Sequence, residues 1–163
     1  MAVGSWTIEA KTPRLSRWRV SLANQPSTAL AWEHEVEVIS KLTRRLTNGL
    51  LRAHCPDGGL PGKLRSDWSA DASWVCLTGN VQIAHCWLLL FEITGERRYL
   101  DVARRVNAWV RRRIAVDGPT DRRGGVKGSF PVDGDYGTYE YLNWACKFTI
   151  DANRLELQLS PRN

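Results

Sequence analysis

The chain has 163 residues, of which 43% are hydrophobic and 25% are charged. This balance is typical of a globular domain with enough apolar side chains to form a core, and it excludes an intrinsically disordered chain. The formal net charge of +6 favours anionic partners in general. The other signals of nucleic-acid binding are missing, so we predict no nucleic-acid partner.

Apolar runs in the sequence are short. The longest, Trp87 to Phe91, falls far below the ~20 residues that a membrane span requires. Residues 1–25 contain no continuous apolar stretch, so the sequence predicts neither a secretory signal nor a membrane partner. We therefore expect a cytoplasmic protein, in which the cysteines stay reduced; these are Cys55, Cys76, Cys86 and Cys146.

The first predicted helix follows an irregular leader at residues 1–27. Apolar residues recur at spacings of three and four in residues 28–54, which predicts an amphipathic helix over that range. A loop rich in glycine and proline follows over residues 56–77, and loops of this length in compact domains usually carry function. The chain ends in a predicted tail over residues 159–163.

Three more helices are predicted further along the chain. The second, over residues 78–94, is apolar around nearly its whole circumference, which predicts burial on all sides, and Gly95 is suited to end it. The third, over 97–115, has a narrow apolar stripe opposite an arginine-rich face, so we expect it on the outside. A glycine-rich loop over 117–137 then leads to the fourth helix, over 138–158.

A short segment occurs twice in the chain. Gly58 to Leu64 reappears as Gly124 to Phe130, and each copy lies between an amphipathic helix and a more aromatic helix. We call the sequence separation between Gly58 and Gly124 the repeat offset. Repeats with a fixed period indicate stacked or ring-like architectures. The paired glycines predict backbone positions that need a positive φ or the close approach of another group.

The repeat predicts an all-α fold built from αα-hairpin repeats, with one helical-repeat domain over residues 28–158. The inner helices of this arrangement are 78–94 and 138–158. The outer helices are 28–54 and 97–115, which would wrap the inner pair.

Four segments carry a resemblance to a known family. They are Asp57-Gly58-Gly59-Leu60-Pro61, Thr94-Gly95-Glu96-Arg97-Arg98-Tyr99-Leu100, Gly124-Gly125-Val126-Lys127-Gly128-Ser129-Phe130-Pro131 and Tyr141-Leu142-Asn143-Trp144-Ala145-Cys146-Lys147-Phe148. Over residues 30–155 the chain resembles the six-hairpin glycosidase-like (α/α) toroids. Because it holds only about two hairpins, the resemblance implies a partial toroid. Such a chain would be a truncated gene product, a piece that oligomerises, or a subunit that completes another chain.

The resemblance implies a carbohydrate-binding or carbohydrate-processing domain, since members of the superfamily are glycoside hydrolases, polysaccharide lyases and sugar epimerases. A non-catalytic helical-repeat interaction module is a second hypothesis. A toroid like those of terpenoid cyclases and prenyltransferases is a third. The hydrophilic loops argue against the third, because a prenyl chain needs a dry aromatic cavity.

Candidate ligand-binding residues combine aromatic rings, which stack on sugars, with polar groups that bind hydroxyls. They are Trp68, Trp74, Gln82, Lys127, Tyr136, Tyr139 and Trp144. Two of them have a structural alternative, since the rings of Trp68 and Trp74 can instead fill space between helices.

Candidate catalytic residues are two carboxylates and one histidine. Glycoside hydrolysis usually takes two carboxyls ~5–9.5 Å apart, and Asp71 and Asp133 can supply one from each loop. His85 is a candidate general base because imidazole titrates near neutrality, and Gln82 lies one turn earlier on the same helix face. The alternatives are loop aspartates that bind backbone amides and a hydrogen-bonded core histidine.

No metal or cofactor is predicted. The cysteines form no Cys-x-x-Cys pair, and their spacings do not show the three or four ligands that a zinc site needs. Walker, dinucleotide-binding, Gly-x-Ser-x-Gly and His-Glu-x-x-His motifs are also missing from the sequence.

Overall fold

The computed structural model describes residues 43–160. Within that range the elements are helix α1 (43–53), strand β1 (Val75–Cys76), helix α2 (Leu77–Thr94), helix α3 (Arg97–Arg111), strand β2 (Ser129–Phe130) and helix α4 (Asn143–Gln158). The described part is therefore mostly helical, as the all-α prediction requires. The predicted leader over 1–27 and the start of the predicted first helix lie outside the described residues.

The chain divides into two compact units, Met1–Arg45 and Leu46–Asn163. All elements from β1 to α4 belong to the second unit. The first unit is described only at residues 43–45, which are helical.

Helix α2 has a recognisable cap at each end. The thiol of Cys76 accepts a hydrogen bond from the backbone N–H of Gly79 at 3.2 Å, which satisfies one free donor of the first turn. Gly95 ends the helix in the left-handed region, with a φ of 72°, and its N–H donates to the carbonyl of Phe91. The predicted glycine end of this helix is confirmed.

Helix α4 begins at Asn143, later than the predicted start at 138. The residues before it are extended because they pair with the glycine segment: Gly128 donates to the carbonyl of Glu140, and Leu142 donates to that of Val126. This pairing joins residues that are distant in sequence, so the local periodicity of residues 138–142 does not reveal it.

Helix α3 ends at Arg111, although the sequence predicted helix as far as residue 115. Beyond Arg111 the hydrogen bonds span three residues, from Arg113 to Val110 and from Ile114 to Arg111, so the chain closes into turns. The predicted outer position of this helix agrees with its burial, since its apolar residues are buried and most of its arginines are exposed.

Two apolar clusters make up the core. One joins α2 to α3 and contains Trp87, Leu88 and Val106. The other joins α2, α3 and α4 and contains Val81, Trp109 and Ala152. Burying side chains as large as leucine or valine stabilises the fold by about 1.5–3 kcal/mol each.

Helix α2 is not buried on all sides, so that prediction was wrong. Gln82, Cys86, Leu89 and Ile93 are exposed, and their spacing of three and four residues places them on one stripe. The sequence did not reveal this stripe because Leu89 and Ile93 are apolar like the buried positions.

The short sheet joins the two glycine-rich loops. Strands β1 and β2 are antiparallel, with Val75 opposite Phe130 and Cys76 opposite Ser129. Gly58 and Gly124 have φ angles of 104° and 80°, which confirms the prediction of positive φ at the paired glycines. Both loops therefore meet at the end of the second unit where α2 begins.

Candidate functional site

A groove of about 360 Å³ lies where the two loops meet the first turns of α2. We call it the Trp74 groove. It is lined by Leu60, Pro61, Gly62, Leu64, Trp74, Cys76, Gly79, Asn80, Ile83 and Tyr136. Its walls are mainly apolar, and they bring one ring from the first loop together with one ring from the second.

The indole of Trp74 is held by close backbone packing. A Cβ at Gly62 would lie 2.3 Å from the ring atom Cζ3, so only glycine leaves room for the indole there. The N–H of Gly62 also donates to the carbonyl of Trp74 at 2.7 Å. The ring is half-buried, so part of it remains free to contact a ligand in the groove.

Asn80 supports the groove without offering free polar groups to it. The amide oxygen of Asn80 accepts from the N–H of Leu60 at 2.9 Å, and its NH₂ group donates to the carbonyls of Leu60 and Cys76. Both donors are therefore used, and the side chain is fully buried. Its contribution is to fix the first loop to the start of α2.

Polar groups lie close to the two aromatic rings of the groove. Lys63 Nζ lies 3.0 Å from Asp135 Oδ2 and 5.7 Å from the centre of the Trp74 ring. Trp144 donates its indole N–H to the hydroxyl of Tyr136 at 3.1 Å. These groups are exposed, so they can exchange water for the hydroxyl groups of a ligand.

A second groove, also of about 360 Å³, lies between α2 and α4 and includes two predicted residues. It is lined by Gln82, His85, Cys86, Lys147, Phe148 and Asp151. The predicted proximity of Gln82 and His85 is confirmed. The ammonium of Lys147, 2.6 Å from the carboxylate of Asp151, holds the pKa of that carboxyl below its ordinary value, with a smaller contribution from His85.

The proposed carboxylate pair does not line either groove. Asp71 is ion-paired with Arg65 at 2.8 Å and lies at the base of the 64–70 hairpin, where its N–H donates to the carbonyl of Lys63. Asp133 is exposed in the loop between β2 and α4. Both carboxylates are exposed, so neither lies in the buried, apolar surroundings typical of a general acid.

Trp68 is placed by helix packing. Its ring lies against Gly49 of α1, because a Cβ at Gly49 would meet the indole directly, and the residue is half-buried. This contact with α1 agrees with the alternative in which the Trp68 ring packs against helices instead of binding a ligand. Its φ of 71° belongs to the turn closed by its N–H and the carbonyl of Arg65.

The remaining predicted residues lie outside the two grooves. The side chain of Tyr139 is 71% exposed on a left-handed turn, with a φ of 61°. Lys127 is half-buried and pairs through its backbone with Tyr141. Of the predicted aromatic residues, Trp74 and Tyr136 share one groove, and Trp144 is bonded to Tyr136.

No protein-family model, curated protein or solved structure matches this chain. The resemblance to the six-hairpin glycosidase-like toroids therefore stays a prediction. Within residues 43–160, no three His, Cys, Asp or Glu side chains are grouped as metal ligands, and the four cysteines are unpaired. None of the described helices combines the length and the apolar character needed to cross a bilayer.

Sequence reasoning missed Asn80, which fixes the first loop to α2, and Lys63, which lies beside the Trp74 ring. Lys63 was not a candidate because one lysine in a loop carries no pattern. Asn80 was not a candidate because a single asparagine near a helix start usually caps that helix. The repeat does mark this position: Asn80 and Cys146 are equivalent at the repeat offset, and each lies in a predicted inner helix.

Proposed function

We propose that this chain binds a saccharide in the Trp74 groove. The observation that carries the proposal is the pairing of Trp74 and Tyr136 in one groove, with the exposed Lys63–Asp135 pair beside the indole. The C–H faces of a sugar ring pack on an aromatic ring, while its hydroxyls need hydrogen-bond donors and acceptors at the edges. This groove offers both kinds of contact within one small volume.

The size and composition of the groove support a small ligand. Its volume of about 360 Å³ falls at the lower end of the range for small-molecule sites, which are largely apolar with a few well-placed polar groups. One or two sugar rings are therefore the expected occupants, with any longer chain continuing towards Tyr136 and Trp144.

Binding is better supported than turnover. Among residues 43–160, the carboxyl groups with a shifted pKa are Asp57, Asp67 and Asp151, and all three pKa values are lowered. Lowered values favour the ionised form, whereas the acid in glycoside hydrolysis must hold its proton. A glycoside hydrolase activity would thus need an acid other than these three carboxyl groups.

We also propose that the two loops belong to two copies of one repeat unit, as expected for a partial (α/α) toroid. Two backbone hydrogen bonds related by the repeat offset support this. Gly62 donates to the carbonyl of Trp74 at 2.7 Å, and Gly128 donates to that of Glu140 at 3.0 Å. The bonds join equivalent positions although the accepting residues differ in kind.

The helix starts support the same correspondence. Helix α2 begins at Leu77 and α4 begins at Asn143, and the repeat offset carries the first of these positions onto the second. The backbone N–H of Leu60 donates to the side chain of Asn80, and that of Val126 donates to the side chain of Cys146. The loop and the helix that follows it are therefore joined in the same way twice.

The third hypothesis, a prenyl- or terpenoid-binding toroid, has less support. It requires a dry aromatic cavity and an acidic cluster, whereas the Trp74 groove has a charged pair beside its indole. The part of the chain that the structure describes contains no group of acidic side chains placed to hold a metal ion.

Calorimetric titration with a neutral glucose tetrasaccharide and a uronate tetrasaccharide of equal length tests the proposal. We expect at least one to bind, and Trp74→Ala to weaken binding by about tenfold or more, since buried aromatic contacts dominate small interfaces. If neither sugar gives a saturable binding curve, and neither shifts the protein's amide NMR signals, the result counts against saccharide binding.

Tyr139→Ala provides the matched comparison. Tyr139 is a more exposed aromatic residue in the second loop and lies outside the Trp74 groove. If Tyr139→Ala weakens binding and Trp74→Ala does not, a saccharide binds but the groove has been assigned wrongly. Far-UV circular dichroism of both variants checks that each remains folded.

A further inference from the structure

Helix α4 leaves one side uncovered. Its exposed positions recur at spacings of three and four residues, which places them on one face; they are Asn143, Trp144, Lys147, Ile150, Arg154, Leu157 and Gln158. Ile150 and Leu157 are 65% and 76% exposed. We call this set the α4 face.

The corresponding positions of α2 are covered. At the repeat offset, five of the α4 face positions correspond to Leu77, Thr78, Val81, Ala84 and Leu88, and all five are buried. In α2 most of these residues belong to the clusters that pack against α3 and α4. The α4 face is therefore exposed where the same face of α2 is covered by other helices.

The exposed stripe of α2 shows the reverse relationship. Its residues Gln82, Cys86, Leu89 and Ile93 correspond to Phe148, Ala152, Leu155 and Leu159 in and just after α4. Ala152 is fully buried, and the other three pack against the apolar clusters. The α2 stripe is thus exposed, whereas the equivalent side of α4 is packed in the core.

From these two relationships we infer that the α4 face of one copy of this chain docks on the α2 stripe of a second copy. Within one chain, α2 and α4 already make the contact that would be repeated between chains. The surfaces differ, so the association is head-to-tail, and it forms a closed ring or an open stack rather than a twofold dimer. The inference rests on the proposed repeat and is independent of saccharide binding.

Apolar residues on both surfaces are suited to such a contact. Leu89 and Ile93 are 41% and 57% exposed on the α2 stripe, and Ile150 and Leu157 are exposed on the α4 face. Burying large apolar side chains is the main favourable term in most protein association. Arg154 on the α4 face adds a positive charge that makes a pairing of two α4 faces unfavourable.

Light scattering coupled to size exclusion, from low micromolar to near-millimolar concentration, is the first test. The wild-type mass is expected to exceed the 18.5 kDa of the single chain and to rise with concentration. Leu89→Arg and Ile150→Arg should each prevent assembly beyond the monomer, because each removes one of the two surfaces. A wild-type chain that remains monomeric throughout overturns the proposal.

Mixing the two variants distinguishes head-to-tail docking from a twofold contact. Leu89→Arg retains an intact α4 face and Ile150→Arg retains an intact α2 stripe, so an equimolar mixture should form a dimer and nothing larger. A mixture that stays monomeric, or either variant dimerising alone, contradicts head-to-tail docking. Val116→Arg, at an exposed apolar position outside both surfaces, should assemble like the wild type.

Discussion

Leu60 and Asn80 are joined by a reciprocal pair of hydrogen bonds between the first loop and α2. The N–H of Leu60 donates to the amide oxygen of Asn80 at 2.9 Å, and the amide NH₂ donates back to the carbonyl of Leu60 at 3.1 Å. A third bond runs from the same NH₂ to the carbonyl of Cys76. One side chain therefore satisfies three backbone groups at the junction of the first loop and α2.

Replacing Asn80 by alanine should lower the free energy of unfolding by about 2–4 kcal/mol. The change leaves the buried N–H of Leu60 and two carbonyls without their partner, and unsatisfied buried groups cost about 1–3 kcal/mol each. Urea denaturation at neutral pH measures the loss. Gln82→Ala, on the exposed stripe of the same helix, should change the value by less than about 0.5 kcal/mol.

The second loop suggests a sharper variant at this position. Cys146 accepts the hydrogen bond from Val126 with its thiol, at 3.4 Å. Asn80→Cys should therefore cost less than Asn80→Ala, because a thiol retains an acceptor for the N–H of Leu60. If both variants lose the same free energy of unfolding, a side-chain acceptor for the N–H of Leu60 does not contribute to stability.

Two glycines near the Trp74 groove should respond in opposite directions to alanine. Gly62→Ala places a methyl group 2.3 Å from the Trp74 ring, and overpacking of this kind costs about 1–3 kcal/mol. Gly79 lies in the first turn of α2, where the nearest atom to an added Cβ is Cys76 Sγ at 3.5 Å. Gly79→Ala should therefore stabilise the protein by about 0.5–1 kcal/mol through helix propensity.

Thermal and urea unfolding of both glycine variants test this contrast. A Gly62→Ala variant as stable as the wild type would show that the indole can shift without cost. In that case the groove is softer than its packing indicates, and Trp74 is a weaker platform for a ligand.

The helices were predictable because their signals are local. The apolar stripe of α3 and the glycine that ends α2 each follow from a few neighbouring residues. The start of α4 was predicted too early because residues 140–142 pair with residues 126–128, which are distant in sequence. Long-range backbone pairing of this kind leaves little trace in a single sequence.

The site was predictable only in part, for a related reason. Aromatic residues in the loops pointed to Trp74 and Tyr136, but equally to Trp68 and Tyr139, which pack elsewhere or face solvent. Which ring lines a groove depends on the backbone beneath it. The glycine beneath Trp74 was visible in the sequence, while its contact with that indole was not.

A third prediction concerns pH and rests on Asp57. Trp109, only 2% exposed, donates its indole N–H to the carboxylate of Asp57 at 2.7 Å, and the N–H of Gly59 donates at 3.1 Å. These two hydrogen bonds, with smaller contributions from Arg113 and Arg112, hold the pKa of Asp57 below its ordinary value of 3.8. The carboxylate form is therefore favoured in the folded state.

Because the folded pKa lies below the unfolded one, the contribution of Asp57 is present above about pH 4 and is lost as the pH falls through the folded value. Asp57→Asn should be less stable than the wild type at neutral pH, by under about 1 kcal/mol, since the carboxylate is 60% exposed and screened. The two stabilities should converge below the ordinary pKa. Urea midpoints measured from neutral pH downward test this, and a constant difference would contradict it.

The last prediction concerns the charge of the ligand. Asp135 pairs with Lys63 at 3.0 Å, and the two side chains are 68% and 56% exposed beside the Trp74 ring. Asp135→Asn removes the carboxylate that neutralises this ammonium. If a uronate oligosaccharide stacks on Trp74, its affinity should rise by about two- to threefold, the size of one exposed ion pair, while a neutral sugar of equal length should bind as before.

Lys63→Gln should act in the opposite direction and weaken the uronate alone. Added salt should reduce both effects, because exposed charges are screened over about 10 Å at 0.1 M ionic strength. Calorimetric titration of the two variants with both sugars gives the four affinities that are needed. If Asp135→Asn weakens the neutral sugar as strongly as Trp74→Ala does, then Asp135 accepts hydrogen bonds from sugar hydroxyls, and its role is to bind the ligand directly rather than to neutralise Lys63.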